Sequence, residues 1–377
     1  MIAVLATVSF AAWVYLVGFH GRFWRSSPSL EAFALSRPAR VAIIVPARNE
    51  AENIRQSLGS LLAQDYPGEM SIIVVDDNST DNTAAIAASL GAGKPLTIIH
   101  GEPLPTGWTG KLWAVHQGLI HVDAQTADFI LLTDADIEHA PSHLPTLVAK
   151  AQADGLDLVS EMVHLHCATP AERALVPAFV FFFQMLYPFE WARDPRRRLA
   201  AAAGGTMLIS RAAVDRVKGV SRIRQHLIDD CALAKEIKSS GGRIWLGHSD
   251  RASSIRVYSR WRDVWDMIAR TAYVQLGHSL LMLLGCVAGM SLIYLVPPLV
   301  TLFAAGMPRV LGLLSWFLMA LAFQPTLHRY HRSPLWGLVL PAISVFYVCA
   351  TIASAFRYYA GRGGGWKQRV YPQKPAT

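Results

Sequence analysis

The chain has 377 residues, 52% hydrophobic and only 16% charged, and the apolar excess lies at its two ends, which excludes a wholly soluble domain in favour of a membrane protein with a soluble middle. The net charge of +8 fits positive flanks of membrane helices, or an anionic ligand or lipid surface, while no helix-turn-helix, zinc-finger or aromatic RNA-binding signature supports nucleic acid as a partner. None of Cys167, Cys231, Cys286 and Cys349 forms a Cys-x-x-Cys pair, which argues against zinc or redox chemistry and for reduced thiols.

In chain order, residues 1–19 are almost uncharged and long enough to span a bilayer, and His20, Arg22 and Arg25 follow them. Charge after the apolar run, rather than before it, reads as an uncleaved anchor over 1–25 whose C-terminal end faces the cytoplasm. The pattern then changes. Apolar runs at 41–45, 72–75, 96–99 and 129–132 predict buried strands, and 50–64, 83–90 and 111–122 predict the helices between them. This alternation implies an α/β domain over 38–262 with a mostly parallel sheet. Gly91-Ala-Gly93 follows a helix and lacks a third glycine, so it reads as a helix stop; Gly110-Lys111 lacks the rest of a Walker loop.

Residues 172–191 are rich in phenylalanine and broken by Pro188, which fits an amphipathic segment at the membrane interface or, equally, a core helix. Arg193, Arg196, Arg197 and Arg198 come next and suit anionic headgroups or a solvated face. A second apolar region, 276–357, holds crossings near 279–304, 310–327 and 335–356, with a kink at Pro297-Pro298 and a basic tail over 358–377. Three crossings would leave Arg357, Arg362, Lys367 and Arg369 outside, against the positive-inside rule, so one segment is re-entrant or the count is off by one.

Five pieces of the soluble middle carry chemistry. PARNE at 46–50 follows the first strand; Arg48 offers a fork for phosphate or a stacked base, and Glu50 a helix cap. DDNSTD at 76–81 follows the second, with Asp77 able to accept from a base or ribose and 78–81 making a turn and helix start. In GWTGK at 107–111, Lys111 sits at a helix start, where anions are favoured. Asp134 and Asp136 emerge where the fourth strand stops, as a solvated turn or as a pair whose repulsion a hard divalent cation carrying a diphosphate would relieve. Asp229 and Asp230 open an amphipathic helix, as a cap or as a base for an acceptor hydroxyl.

The order and spacing of VPARNE (45–50), VDDNSTD (75–81), GKLWAVHQG (110–118), TDAD (133–136) and DDCAL (229–233) resemble the family 2 glycosyltransferases, most of all the hopene-associated (hopanoid biosynthesis) membrane enzymes. The resemblance implies a GT-A fold and transfer of one sugar from a nucleotide-sugar donor, a UDP-sugar first, to a lipid acceptor. Pro46, Arg48, Glu50 and Asp77 would hold the nucleotide, with Lys111 near it; Asp136 would bind Mg2+ or Mn2+, and Asp134 would contact the sugar-nucleotide. Asp230 matches the catalytic base, beside Asp229, and Gly204, Gly205 and Thr206 match the acceptor side. Processive members carry Gln-x-x-Arg-Trp; Val257 stands in the glutamine's place while Arg260 and Trp261 remain, which implies a single transfer and leaves Arg260 to steady the leaving diphosphate. Ala232 replaces a further acid, so the acceptor is not transferable from the family. The implied setting is a multi-pass inner-membrane protein with its catalytic domain in the cytoplasm. A polyprenyl-phosphate acceptor, or a catalytically silent scaffold, are the competing readings. His164 and His166 read as satisfied polar residues.

Overall fold

The computed structural model describes residues 1–26, 29–31 and 35–361, and the backbone alone of 122, 365–366 and 369–370. Most of the expected basic tail therefore lies outside the described residues. The apolar runs form β1 (Val41–Ala47), β2 (Met70–Asp76), β3 (Leu96–His100) and β4 (Phe129–Thr133), followed by β5 (Ile137–His139), β6 (Leu158–His164), β7 (Thr206–Ser210) and β8 (Ile244–Ser254). They make one sheet in the order β3-β2-β1-β4-β7-β6-β8-β5, with β3, β2, β1 and β4 parallel and β7 and β5 opposed to their neighbours. The first strands are continuous apolar runs because helices cover both faces.

The helices are α1 (Ile2–Phe19), α2 (Ile54–Leu62), α3 (Thr83–Leu90), α4 (Gly110–Ile120), α5 (Val122–Thr126), α6 (His143–Asp154), α7 (Pro170–Leu186), α8 (Phe189–Arg193), α9 (Arg211–Val217), α10 (Asp229–Ser239), α11 (Trp261–Gln275), α12 (Leu280–Met290), α13 (Val296–Phe303), α14 (Met307–Arg329) and α15 (Trp336–Tyr359). One face of the sheet packs Ile44 and Ile130 against Val115 of α4, Val214 of α9 and Ile237 of α10. The other packs Ile43 and Leu131 against Leu58 of α2 and Leu147 of α6. Helix α4 lies very close to β1: a Cβ on Gly118 would stand 2.6 Å from Ile44 Cγ2, so only glycine fits there.

Among the described residues, four helical stretches are long and apolar enough to cross a membrane: Ile2–Phe19, Leu280–Phe303, Met307–Arg329 and Trp336–Tyr359. The expected kink in the second takes the form of a π-helical turn, Ser291–Leu295, just before Pro297-Pro298. Its cause is local, since neither proline can donate a backbone hydrogen bond.

Helix α7 corrects an expectation. It is not an interfacial segment lying on a surface. Val176 and Val180 pack toward Leu246 of β8, while Ala178, Phe181 and Phe182 pack toward Trp13 of α1, Phe323 of α14 and Tyr347 of α15. It is an interior wedge between the sheet domain and the apolar helices, and it ends before Pro188 as expected. A capping box of Thr169 and Glu172 starts it, and fully buried Glu172 also accepts from Tyr258 N–H and pairs with His166, which satisfies that histidine.

Helix α15 is tied to neighbouring elements at both ends. It starts beside the last turns of α14, where Arg329 pairs with Asp250 of β8 (2.8 Å), and it finishes beside α11, with Arg357 on Asp266 and Tyr359 Oη on Tyr273 Oη (3.0 Å).

Candidate active site

The ends of β1, β2 and β4 reach the same edge of the sheet, at the point where the strand order turns from β1–β2–β3 to β4. Crevices at such switch points are where open α/β sheets bind ligands. Asp134 and Asp136 emerge there from β4, as expected from the sequence.

A cavity of about 740 Å³ opens at this edge, lined by Pro46, Glu50, Lys111, Asp134, Asp136, Gly204, Gly205, Asp229 and Asp230. Lys111 Nζ bridges Asp134 Oδ1 (2.9 Å) and Asp229 Oδ2 (3.1 Å), tying the end of β4 to the start of α10. Those two carboxylates keep the Lys111 ammonium charged against the burial that opposes it, raising its pKa. Poor hydration in the cleft, with Asp136 and Asp229 close by, raises Asp134 despite Lys111. Asp230 is held by two backbone donors, Cys231 N–H (2.7 Å) and Gly204 N–H (2.8 Å). Burial, and then the neighbouring Asp229, push it up to about 6, which suits a group that must take a proton near neutral pH. A Cβ on Gly204 would stand 3.3 Å from Asp230 Oδ2, so a side chain there would crowd this carboxylate.

Sequence reasoning missed Arg256, two residues past β8. Its guanidinium donates from Nε to Asp136 Oδ2 and from Nη2 to Glu50 Oε1 (2.8 Å), bridging two acids expected on the donor side. Those acids hold it firmly protonated. The only signal was a basic residue just after a strand end. Glu50 does not cap α2: its side chain accepts from Asn53 and Arg256, while Asn53 stands at the N-cap.

Arg48 and Asp77 form a separate pair at the same edge. Asp77 is fully buried, with Arg48 Nη1 3.6 Å from its Oδ2, and Arg48 also donates to the carbonyls of Asp77 and Asn78. Neither lines the cavity, so Asp77 faces its arginine rather than open space. The turn beyond is built as expected: Asp81 accepts from Thr83 and Ala51 N–H, and Asn49 from Thr80 N–H. Thr206 opens β7 and is buried outside the cavity lining. Arg260 and Trp261 do not line the cavity; both are exposed at the start of α11, with Arg260 on Asp263 (3.3 Å) and Trp261 against Phe346.

Residues 42–218 match the sequence model of the glycosyl transferase family 2 domain. The chain is 35% identical over 117 residues to a 4,4'-diaponeurosporenoate glycosyltransferase of Staphylococcus aureus strain USA300, a match covering 30% of this chain and 29% of that protein. The strain MRSA252 protein of the same description is 38% identical over 98 residues, 26% of this chain and 24% of that one. The match thus spans under a third of these relatives' length. A solved mannosyltransferase from Pyrobaculum calidifontis, in complex with GDP-Man and Mn2+, superimposes with a TM-score of 0.58 at 18% identity, covering 95% of this chain and 99% of that one. That likeness establishes the fold: the sheet and its covering helices form a GT-A domain, with apolar helices before and after it.

The acids at this edge suit a divalent ion only in part on their own. Among the described residues no cluster of three His, Cys, Asp or Glu side chains is placed to hold a metal. Asp136 with Asp134 nearby offers hard oxygen donors, and Mg2+-type sites built on one or two carboxylates are completed by substrate phosphates. The donor set therefore fits a metal that arrives with a diphosphate.

Proposed function

We propose that this chain is a membrane-bound glycosyltransferase that moves one sugar from a nucleotide-sugar donor, a UDP-sugar first, to a lipid acceptor at the cytoplasmic face of the inner membrane. The observation that carries the reading is the meeting of Asp134, Asp136, Asp229 and Asp230 with Lys111 in one cavity whose wall continues into the apolar helices. The nucleotide lies along the Pro46–Glu50 turn, with Arg48 and Asp77 beneath it. Asp136 is the ligand for Mg2+ or Mn2+, which when bound neutralises charge growing on the departing diphosphate.

Asp230 accepts the proton of the attacking hydroxyl. As the new bond forms between that oxygen and the sugar's anomeric carbon, the bond from this carbon to the diphosphate breaks on the opposite face. The nucleoside diphosphate leaves, and the configuration inverts. Gly204 and Gly205 keep the acceptor side open. In the absence of donor, Arg256 holds Glu50 and Asp136 together as an internal counter-ion. The Arg357–Asp266 pair supports a C-terminal end on the domain's side, as the positive-inside rule asks. The sequence resemblance makes a hopanoid the acceptor to try first.

The test incubates the purified chain with Mn2+, a panel of radiolabelled UDP- and GDP-sugars and a bacterial lipid extract. Metal-dependent label in the lipid phase is expected. Donor binding without transfer under every condition would leave a silent scaffold, and absence of both would end the reading.

A further inference from the structure

The cavity that holds the acids does not end with them. The same wall includes Phe182 and Met185 of α7, Met267 of α11, Val287 and Met290 of α12, and Thr351 of α15. The α12 and α15 residues belong to stretches long and apolar enough to cross a membrane. Leu186, in the last turn of α7, lines the cavity and is 55% exposed, so the space reaches the outside beside that helix. An enclosed donor site has no need of such an extension.

Charge narrows the occupant. Of the carboxylates that line the cavity, Asp263 and Asp266 are paired with Arg260, Arg262 and Arg357, which leaves Glu50, Asp134, Asp136, Asp229 and Asp230 at the sheet edge against Lys111 and Arg256, with Arg270 on α11. Lys111 and Arg256 are already engaged by acids. Beside Asp230 stand Gly204, Cys231 and Ile228, and the cation next to it, Lys111, is held by Asp134 and Asp229. An anionic headgroup entering there would meet a net negative wall, and like charges in a poorly hydrated site are costly. A phosphate also needs no base, whereas an alcohol does.

Resting on the transferase reading above, we propose that this cavity receives the apolar body of an uncharged lipid alcohol, which enters from the membrane between α7, α11, α12 and α15 and presents its hydroxyl to Asp230. The acceptor thus stays in the bilayer's apolar phase, and only its hydroxyl reaches the sheet edge.

The experiment uses the full chain in phosphatidylcholine vesicles doped with either geranylgeraniol or geranylgeranyl phosphate, supplied with Mn2+ and the labelled donors. Label is expected in the alcohol, as an acid-stable glycoside, and not in the phosphate. Val287→Trp and Met290→Trp, which fill the membrane part, are each expected to cut transfer by about 10²-fold through misplacement of the hydroxyl. Leu281→Trp, on the exposed face of α12 and outside the cavity lining, is expected to retain it. Calorimetric donor binding, which reports an intact sheet domain, is expected to survive in all three. Transfer to the phosphate, full transfer by both filled variants, or donor binding with no label in either lipid would overturn the proposal. Failure of the unaltered chain to bind any donor would instead contradict the transferase reading beneath it.

Discussion

The two halves of the cavity are built on opposite principles. At the sheet edge, charged side chains are held at 2.7–3.1 Å by named partners: Lys111 on Asp134 and Asp229, and Cys231 and Gly204 N–H on Asp230. In the membrane half the wall is built from apolar side chains such as Phe182, Met267, Val287 and Met290. The first half recognises charge and geometry; the second excludes water and accepts shape. A change in the first half should therefore abolish chemistry or metal binding outright, whereas a change in the second should weaken acceptor use alone.

The largest effect is expected at Asp136. Asp136→Ala removes a carboxylate from the metal side and leaves Arg256 with Glu50 only. Thermal stabilisation by Mn2+ with a UDP-sugar, read in a detergent melt, should disappear. A variant that keeps both its stabilisation and its transfer would break the assignment of this edge to the donor.

Arg256→Gln should come next. It leaves Glu50 and Asp136 facing each other without their shared cation, and breaking one partner of a buried pair typically costs about 3–5 kcal/mol. About one-third exposure of Arg256 points to the low end. The melting temperature should fall in the absence of metal, and Mn2+ alone should recover part of the loss. An unchanged melt would show that Arg256 is no counter-ion.

The sheet edge was largely legible because its signals are local. A run of apolar residues ending in Asp134 and Asp136 can be little else than a buried strand with acids at its tip, and the strand–helix alternation fixed which edge those acids share. Arg256 was not legible, since its partners Glu50 and Asp136 lie 206 and 120 residues away. Helix α7 was legible as a helix, but the choice between an interfacial and a core one was not. A phenylalanine-rich face looks the same whether it meets lipid or protein, and here Phe181 and Phe182 meet Phe323 and Tyr347. Arg260 was drawn to the site by its motif, yet it serves as a partner for Asp263 at the start of α11.

The pH profile sharpens the comparison further. Burial and Asp229 place Asp230 at about 6, above the ordinary carboxylate value, and only its ionised form accepts a proton. kcat/KM should therefore rise with pH to a plateau above about 6, with the ascending limb lost in Asp230→Asn. A limb that persists in that variant would belong to another group. The smallest effect is expected for Arg260→Ala: an exposed pair contributes at most about 1 kcal/mol, so transfer should change by less than about fivefold.

Asp230 is where the two halves meet, so one paired measurement on Asp230→Asn bears most directly on the account: calorimetric binding of the donor with Mn2+, and label transfer to lipid in the same preparation. Donor affinity should stay close to that of the unaltered chain while transfer falls by about 10²- to 10⁴-fold, the usual contribution of a positioned base. Undiminished transfer, or loss of donor binding together with transfer, would contradict it.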